Sequence, residues 1–160
     1  MSYNWFNQAK TYIGIKEIPG PNNNPIILQW LKNLKAWWQN DDEAWCGTFV
    51  AQCLKEVDIQ PPKLWMRALE YNEVWGVKID NPIEGCIVTF SRKGGGHVGF
   101  VAGTNKQGQL VVLGGNQNNM VNYATFDKER VVGYYLPKGY GVQQNLPLFA
   151  DNVDKSLSEA

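Results

Sequence analysis

The chain has one histidine, His97, in 160 residues. It has three cysteines, Cys46, Cys53 and Cys86. An odd cysteine count with no leader segment argues against a disulfide framework. Three cysteines and one histidine could nominally bind zinc, but no pair has the short Cys-x-x-Cys spacing of such sites. No metal and no cofactor are expected. Neither sign of charge is in excess, since 15 lysines and arginines face 15 aspartates and glutamates. That balance removes the electrostatic case for nucleic acid or an anionic membrane. The opening Met1-Ser2-Tyr3-Asn4-Trp5-Phe6 lacks a basic region followed by an apolar run, and no membrane span is visible. Synthesis in the cytoplasm without a signal peptide is therefore expected. Repeats, low-complexity stretches and charge blocks are also missing.

What is present suits a packed globule. Hydrophobic residues make up 44% of the chain, and its length favours a single domain. A helix is expected over 5–13, capped by Ser2 or Asn4, then a turn-rich segment over 14–21. Asn24-Pro25 reads as N-cap and first helical residue, with Ile26, Ile27, Trp30, Leu31 and Leu34 at helical spacing. Asp41 and Asp42 are candidate caps for a further helix running to about Val57, with Cys46 in its first turn. A short helix is expected over 65–73. After Pro82 the pattern changes to short β-branched and aromatic runs at 87–90, 98–102, 110–113, 121–125 and 131–136, separated by glycine and polar turns. Helices first and strands afterwards indicate an α+β domain with helices packed on an antiparallel sheet.

Three phrases carry chemistry. Trp45-Cys46-Gly47-Thr48-Phe49-Val50-Ala51 opens a helix on a cysteine, where unpaired N–H groups and the helix dipole favour a thiolate. Gly-Gly-Gly-His-Val-Gly-Phe-Val surrounds His97, the only imidazole available as a base. Val112-Leu113-Gly114-Gly115-Asn116-Gln117 ends in two amides, either of which could fix the imidazole tautomer. A cysteine nucleophile needs such a base, and the base needs such an orienting group. Cys46 is the candidate nucleophile, His97 the candidate base, and Asn116 a candidate to orient the imidazole. Gln117 is the rival for that role, or an oxyanion donor. Cys53, seven positions after Cys46, and Cys86 read as structural. Of seven tryptophans, Trp5, Trp30 and Trp75 suit the core, and Trp45 and the pair Trp37-Trp38 are the candidates for a substrate cleft.

Taken in order, Tyr-Ile-Gly-Ile-Lys-Glu-Ile-Pro-Gly (12–20), Asp-Glu-Ala-Trp-Cys-Gly-Thr-Phe-Val (42–50), Gly-Gly-His-Val-Gly-Phe-Val (95–101) and Leu-Gly-Gly-Asn-Gln (113–117) resemble cell-wall hydrolases of the NlpC/CHAP superfamily. These are papain-like cysteine amidases and peptidases, and the subgroup most similar occurs in phage and prophage lysins and in type VI secretion effectors. The resemblance covers roughly 1–137, leaving 138–160 as a tail expected to be disordered or to bind a partner. It implies a thiolate at a helix N-terminus, a histidine on an adjacent strand and a polar residue on the next. It also implies peptidoglycan as substrate, the Cys46 N–H in the oxyanion hole, and, for a secreted effector, an immunity protein as partner. A monomer acting on the cell wall after release or secretion is expected. One departure is Gly85-Cys86-Ile87-Val88, where such proteins commonly have Gly-Asp-Ile-Val. Two other readings remain open: an inactive module that binds cell-wall glycopeptide, and a papain-like protease or transamidase acting on proteins.

Overall fold

A computed structural model describes residues 2–19, 22–40 and 44–149. Three helices, α1 (Asn4–Lys10), α2 (Pro25–Asn33) and α3 (Cys46–Lys55), precede the sheet. Its strands are β1 (Gly76–Ile79), β2 (Ile87–Arg92), β3 (Gly95–Thr104), β4 (Leu110–Gln117), β5 (Met120–Phe126) and β6 (Val131–Pro137). They lie in the order β1-β6-β2-β3-β4-β5, with every neighbouring pair antiparallel. The chain is therefore α+β, with three helices and a six-stranded antiparallel sheet.

Local chemistry explains most element ends. Pro25 occupies the first turn of α2, and the Asn24 side chain accepts the Ile26 N–H at 2.8 Å. Every residue from Cys46 to Leu54 in α3 is buried, the polar Thr48 and Gln52 included, so this helix is enclosed on all sides rather than on one stripe. It packs on β3 and β4 and is covered by α1 and α2. Phe49 joins the layers: its ring centroid lies 5.8 Å from Trp30 and 6.0 Å from Phe100. All eight residues of β4 are buried as well.

The structure departs from the expected elements in five places. The N-cap of α1 is Tyr3, with no side-chain capping bond, rather than Ser2 or Asn4, and the helix ends at Lys10. The N-cap of α3 is Trp45, whose side chain makes no capping bond, while the expected caps Asp41 and Asp42 lie outside the described residues. The helix expected over 65–73 reduces to turns and one 3₁₀ segment, Ala68–Glu70. Strand β1 was not anticipated, because four residues with two exposed in the middle carry little pattern. The turn-rich segment after α1 also forms an edge contact on β5. There Val121 N–H donates to Ile15 O at 2.7 Å and Glu17 N–H to Asn119 O at 2.9 Å.

The segment from residue 138 to 149 is held at several points. The Tyr3 hydroxyl donates to Gly141 O at 2.7 Å and accepts from Gln143 N–H at 3.1 Å. Further along, Thr104 N–H donates to Pro147 O and Phe149 N–H returns a bond to Thr104 O. Tyr3→Phe should destabilise the fold by about 1–2 kcal/mol, the usual worth of one or two partly buried hydrogen bonds. Denaturant unfolding measures the loss, and faster protease nicking within 138–149 locates it.

Candidate active site

Cys46 is the first residue of α3 and only 3% exposed. Burial pushes its thiol up, while the backbone N–H groups of Val98, Gly47 and Cys46 itself, with the charge of Arg92, pull it back. Strand geometry explains the Val98 contact. Val101 exchanges bonds with Gly85 and Cys86 on the β2 side, so Val98, three residues away, directs its N–H toward β4. The β3–β4 ladder has already ended there, at the pair Phe100–Leu113. The sulfur thus approaches an opening in the sheet, beside the residue that follows His97.

His97 pairs with Phe90 across β2–β3 and is fully buried. Its ring stacks on Phe126, with centroids 5.4 Å apart and planes 17° from parallel. Alternation places it on the other side of β3 from Phe100. Its Nε2 lies 3.0 Å from Gln117 Oε1. The tautomer follows from the far end of Gln117. Its amide nitrogen donates to Asn122 O at 2.9 Å and lies 3.3 Å from Val112 O. Carbonyl oxygens only accept, so the nitrogen must face them and Oε1 must face the ring. Oε1 also only accepts, so Nε2 carries the proton and Nδ1 carries the lone pair.

Asn116, expected to orient the imidazole, does not make this contact; Gln117 does. Asn116 has φ 59°, a left-handed conformation that interrupts the alternation of β4. Its side chain is buried, and its Oδ1 has no hydrogen-bond partner among the described residues. The Gln117 amide nitrogen is engaged with Asn122 and Val112. Trp45 is not at the cleft surface. It is 1% exposed, packs 6.2 Å from Trp30, and donates its indole N–H to Glu17 Oε1 at 3.0 Å.

The two glycines before Asn116 are required by close approach. A Cβ on Gly114 would lie 2.3 Å from Gln117 Oε1 and 3.4 Å from His97 Nε2. On Gly115 it would lie 2.7 Å from Phe49 Cβ and 2.9 Å from the Trp45 ring. The backbone of β4 therefore threads between the imidazole site and α3 with no room for side chains.

A cleft of about 390 Å³ reaches Cys46, bordered by Met66 to Glu70 and by the β2–β3 turn. Sequence reasoning missed that wall, and also Tyr71. The Tyr71 hydroxyl, fully buried, bridges Gly47 O at 2.9 Å and Trp65 O at 3.0 Å, tying the wall to the first turn of α3. Trp37 stands 86% exposed, and Trp38 leans on Trp65 at 5.7 Å. Cys53 and Cys86 are fully buried, and burial raises both thiols, Cys86 to about 12. Among the described residues no three His, Cys, Asp or Glu side chains converge as a metal site requires.

The family model described as the CHAP domain matches residues 38–116, a span that contains Cys46, His97 and Asn116. The match is consistent with an NlpC/CHAP-superfamily hydrolase and supports peptidoglycan hydrolase or amidase activity in general. Comparison with curated proteins and with solved structures gave no match. No helix among the described residues is long and apolar enough to cross a membrane.

Two outcomes are expected. Gly114→Ala displaces Gln117 from the imidazole and should lower turnover about as far as Gln117→Ala does. Asn116→Gly, which keeps the left-handed backbone, should retain most activity; a loss equal to that of Gln117→Ala would return the orienting role to Asn116. Because the Cys46 pKa is raised, its thiolate fraction in the resting protein grows only above the ordinary thiol range. Alkylation of Cys46 should therefore still be accelerating above pH 9, as stopped-time mass spectrometry would show, and should precede that of Cys53 and Cys86.

Proposed function

With that family match as premise, we propose that the protein is a cysteine amidase or endopeptidase that cleaves an amide bond of peptidoglycan. One observation carries the mechanism: the fixed Gln117 amide selects the His97 tautomer whose Nδ1 is a base. His97 takes the Cys46 proton as the sulfur attacks the substrate carbonyl carbon. The sulfur–carbon bond forms, and the carbonyl π electrons move to oxygen. As charge leaves the sulfur for the carbonyl oxygen, the Cys46 N–H at the start of α3 turns from the sulfur to stabilise that oxyanion. Collapse breaks the carbon–nitrogen bond, and the imidazolium returns its proton to the departing amine. Water, deprotonated by His97, then hydrolyses the thioester, releasing a carboxylic acid and regenerating the thiol. Gln117 is a positioning residue, acting only through the imidazole.

The raised thiol gives this scheme a particular form. The resting site holds a protonated thiol, and its proton moves when substrate arrives. A preformed ion pair is not needed, because concerted transfer avoids holding two charges in a buried gap. The product reaches the cell wall by lysis or by a secretion machine. A holin gene beside the coding sequence would favour a lysin, and an immunity gene an effector.

Purified sacculi test the reading. New free amino groups without new reducing ends are expected, and all turnover should vanish in Cys46→Ala. His97→Ala should be as damaging, and the double variant little worse than either, since the two act as one device. Multiplicative losses would separate them. Folded protein that binds sacculi without cleaving them, and equally well as Cys46→Ala, would support a binding module instead.

A further inference from the structure

The cleft in front of Cys46 has a charge character that the mechanism above does not use. Two guanidinium groups border it from opposite walls. Arg67 caps the 3₁₀ segment Ala68–Glu70, and Arg92 ends β2 at the turn into β3. The Arg92 Nε donates to Gly96 O at 3.3 Å, which holds its side chain along its own hairpin. Among the described residues, neither guanidinium is held in an ion pair. One carboxylate, Glu70, shares the described lining. Two arginines against one glutamate leave this lining positive around a neutral thiol.

We infer that Arg67 and Arg92 form a receptor for a carboxylate that the substrate carries next to its scissile amide. The inference rests on the hydrolase reading and narrows it: the favoured substrates are stem peptides with a free acid beside the cleaved bond, rather than amidated ones. Arginine suits the task because its planar donors match the two oxygens of a carboxylate. The sulfur also lies within the field of one of them, since Arg92 is among the influences that draw the thiol down against its burial. A carboxylate anchored on these walls would bring its neighbouring carbonyl over Cys46.

The receptor can be read without any hydrolysis. Iodoacetate and iodoacetamide both alkylate Cys46, forming a sulfur–carbon bond and releasing iodide. They differ in carrying a carboxylate or an amide. Their rate ratio, referred to that of free cysteine, reports attraction of an anion into the cleft. A change in thiol pKa alters both rates together and cancels. The ratio should fall roughly three- to ten-fold in Arg67→Gln/Arg92→Gln at low ionic strength, the effect of removing two charges a few ångströms away in a wet cleft. Arg67→Lys/Arg92→Lys should keep most of it, and added salt should lower it in the parent protein. A ratio that responds to neither the glutamine variant nor salt overturns the receptor. So does an initial ratio below that of free cysteine, which would mean that the cleft repels anions.

Sacculus cleavage separates the two claims. A ratio that falls as expected in a protein that never cleaves sacculi leaves the receptor standing and removes the hydrolase reading. Cleavage of free-acid and amidated stem peptides at equal kcat/KM, with no ratio effect, does the reverse.

Discussion

The site depends on the close approach of one stretch of backbone to two neighbours. At Gly114 and Gly115 strand β4 runs between the His97–Gln117 pair and the first turns of α3. A methyl group on either residue would push one of those layers away. Trp45 and Phe49 fill the helix side and Gln117 fills the imidazole side. Cys46 and His97 thus come from different layers, with the glycine backbone of β4 running between the imidazole and the first turns of α3. Packing at protein-interior density leaves no slack to recover from an added carbon.

The same constraint shapes the electrostatics. A buried imidazole with several tautomeric options would be a poor base. Here the choice is made five residues to either side of the ring's own contact, by main-chain oxygens of Val112 and Asn122 that fix the Gln117 amide. Burial raises the thiol, and the N–H groups of Cys46, Gly47 and Val98 offset part of that rise. The helix start supplies two of these donors because Trp45, unlike a serine or aspartate cap, leaves them to the sulfur.

Much of this was legible in the chain. The Asn24-Pro25 helix start, five of the six strands and the placement of Cys46 in a first turn all follow from local rules that tertiary context did not override. Strand β1 was hidden because Gly76–Ile79 is short and exposed in its middle, and gains its bonds only from β6, some sixty residues later. The 65–73 helix failed because Tyr71 and Trp65 are drawn inward to brace α3 instead of following a helical stripe. Trp45 is buried where exposure was expected, for a related reason: adjacency to Cys46 says nothing about which way a cap residue turns. The amide assignment turned on one dihedral. Period-two reasoning assumes extended residues, and Asn116 at φ 59° changes the direction of everything after it. An asparagine after two glycines was the available hint, since that residue tolerates the left-handed region better than most.

Cys53 and Cys86 are fully enclosed and held protonated, and only Cys46 borders solvent. Disulfide exchange needs a thiolate and a path for attack, and the two enclosed sulfurs have neither. The domain can therefore pass from a reducing compartment to an oxidising one without acquiring or shuffling crosslinks within itself. Its thiol redox sensitivity is confined to a single sulfur, so thiol oxidants act on the protein as an on–off agent of that atom.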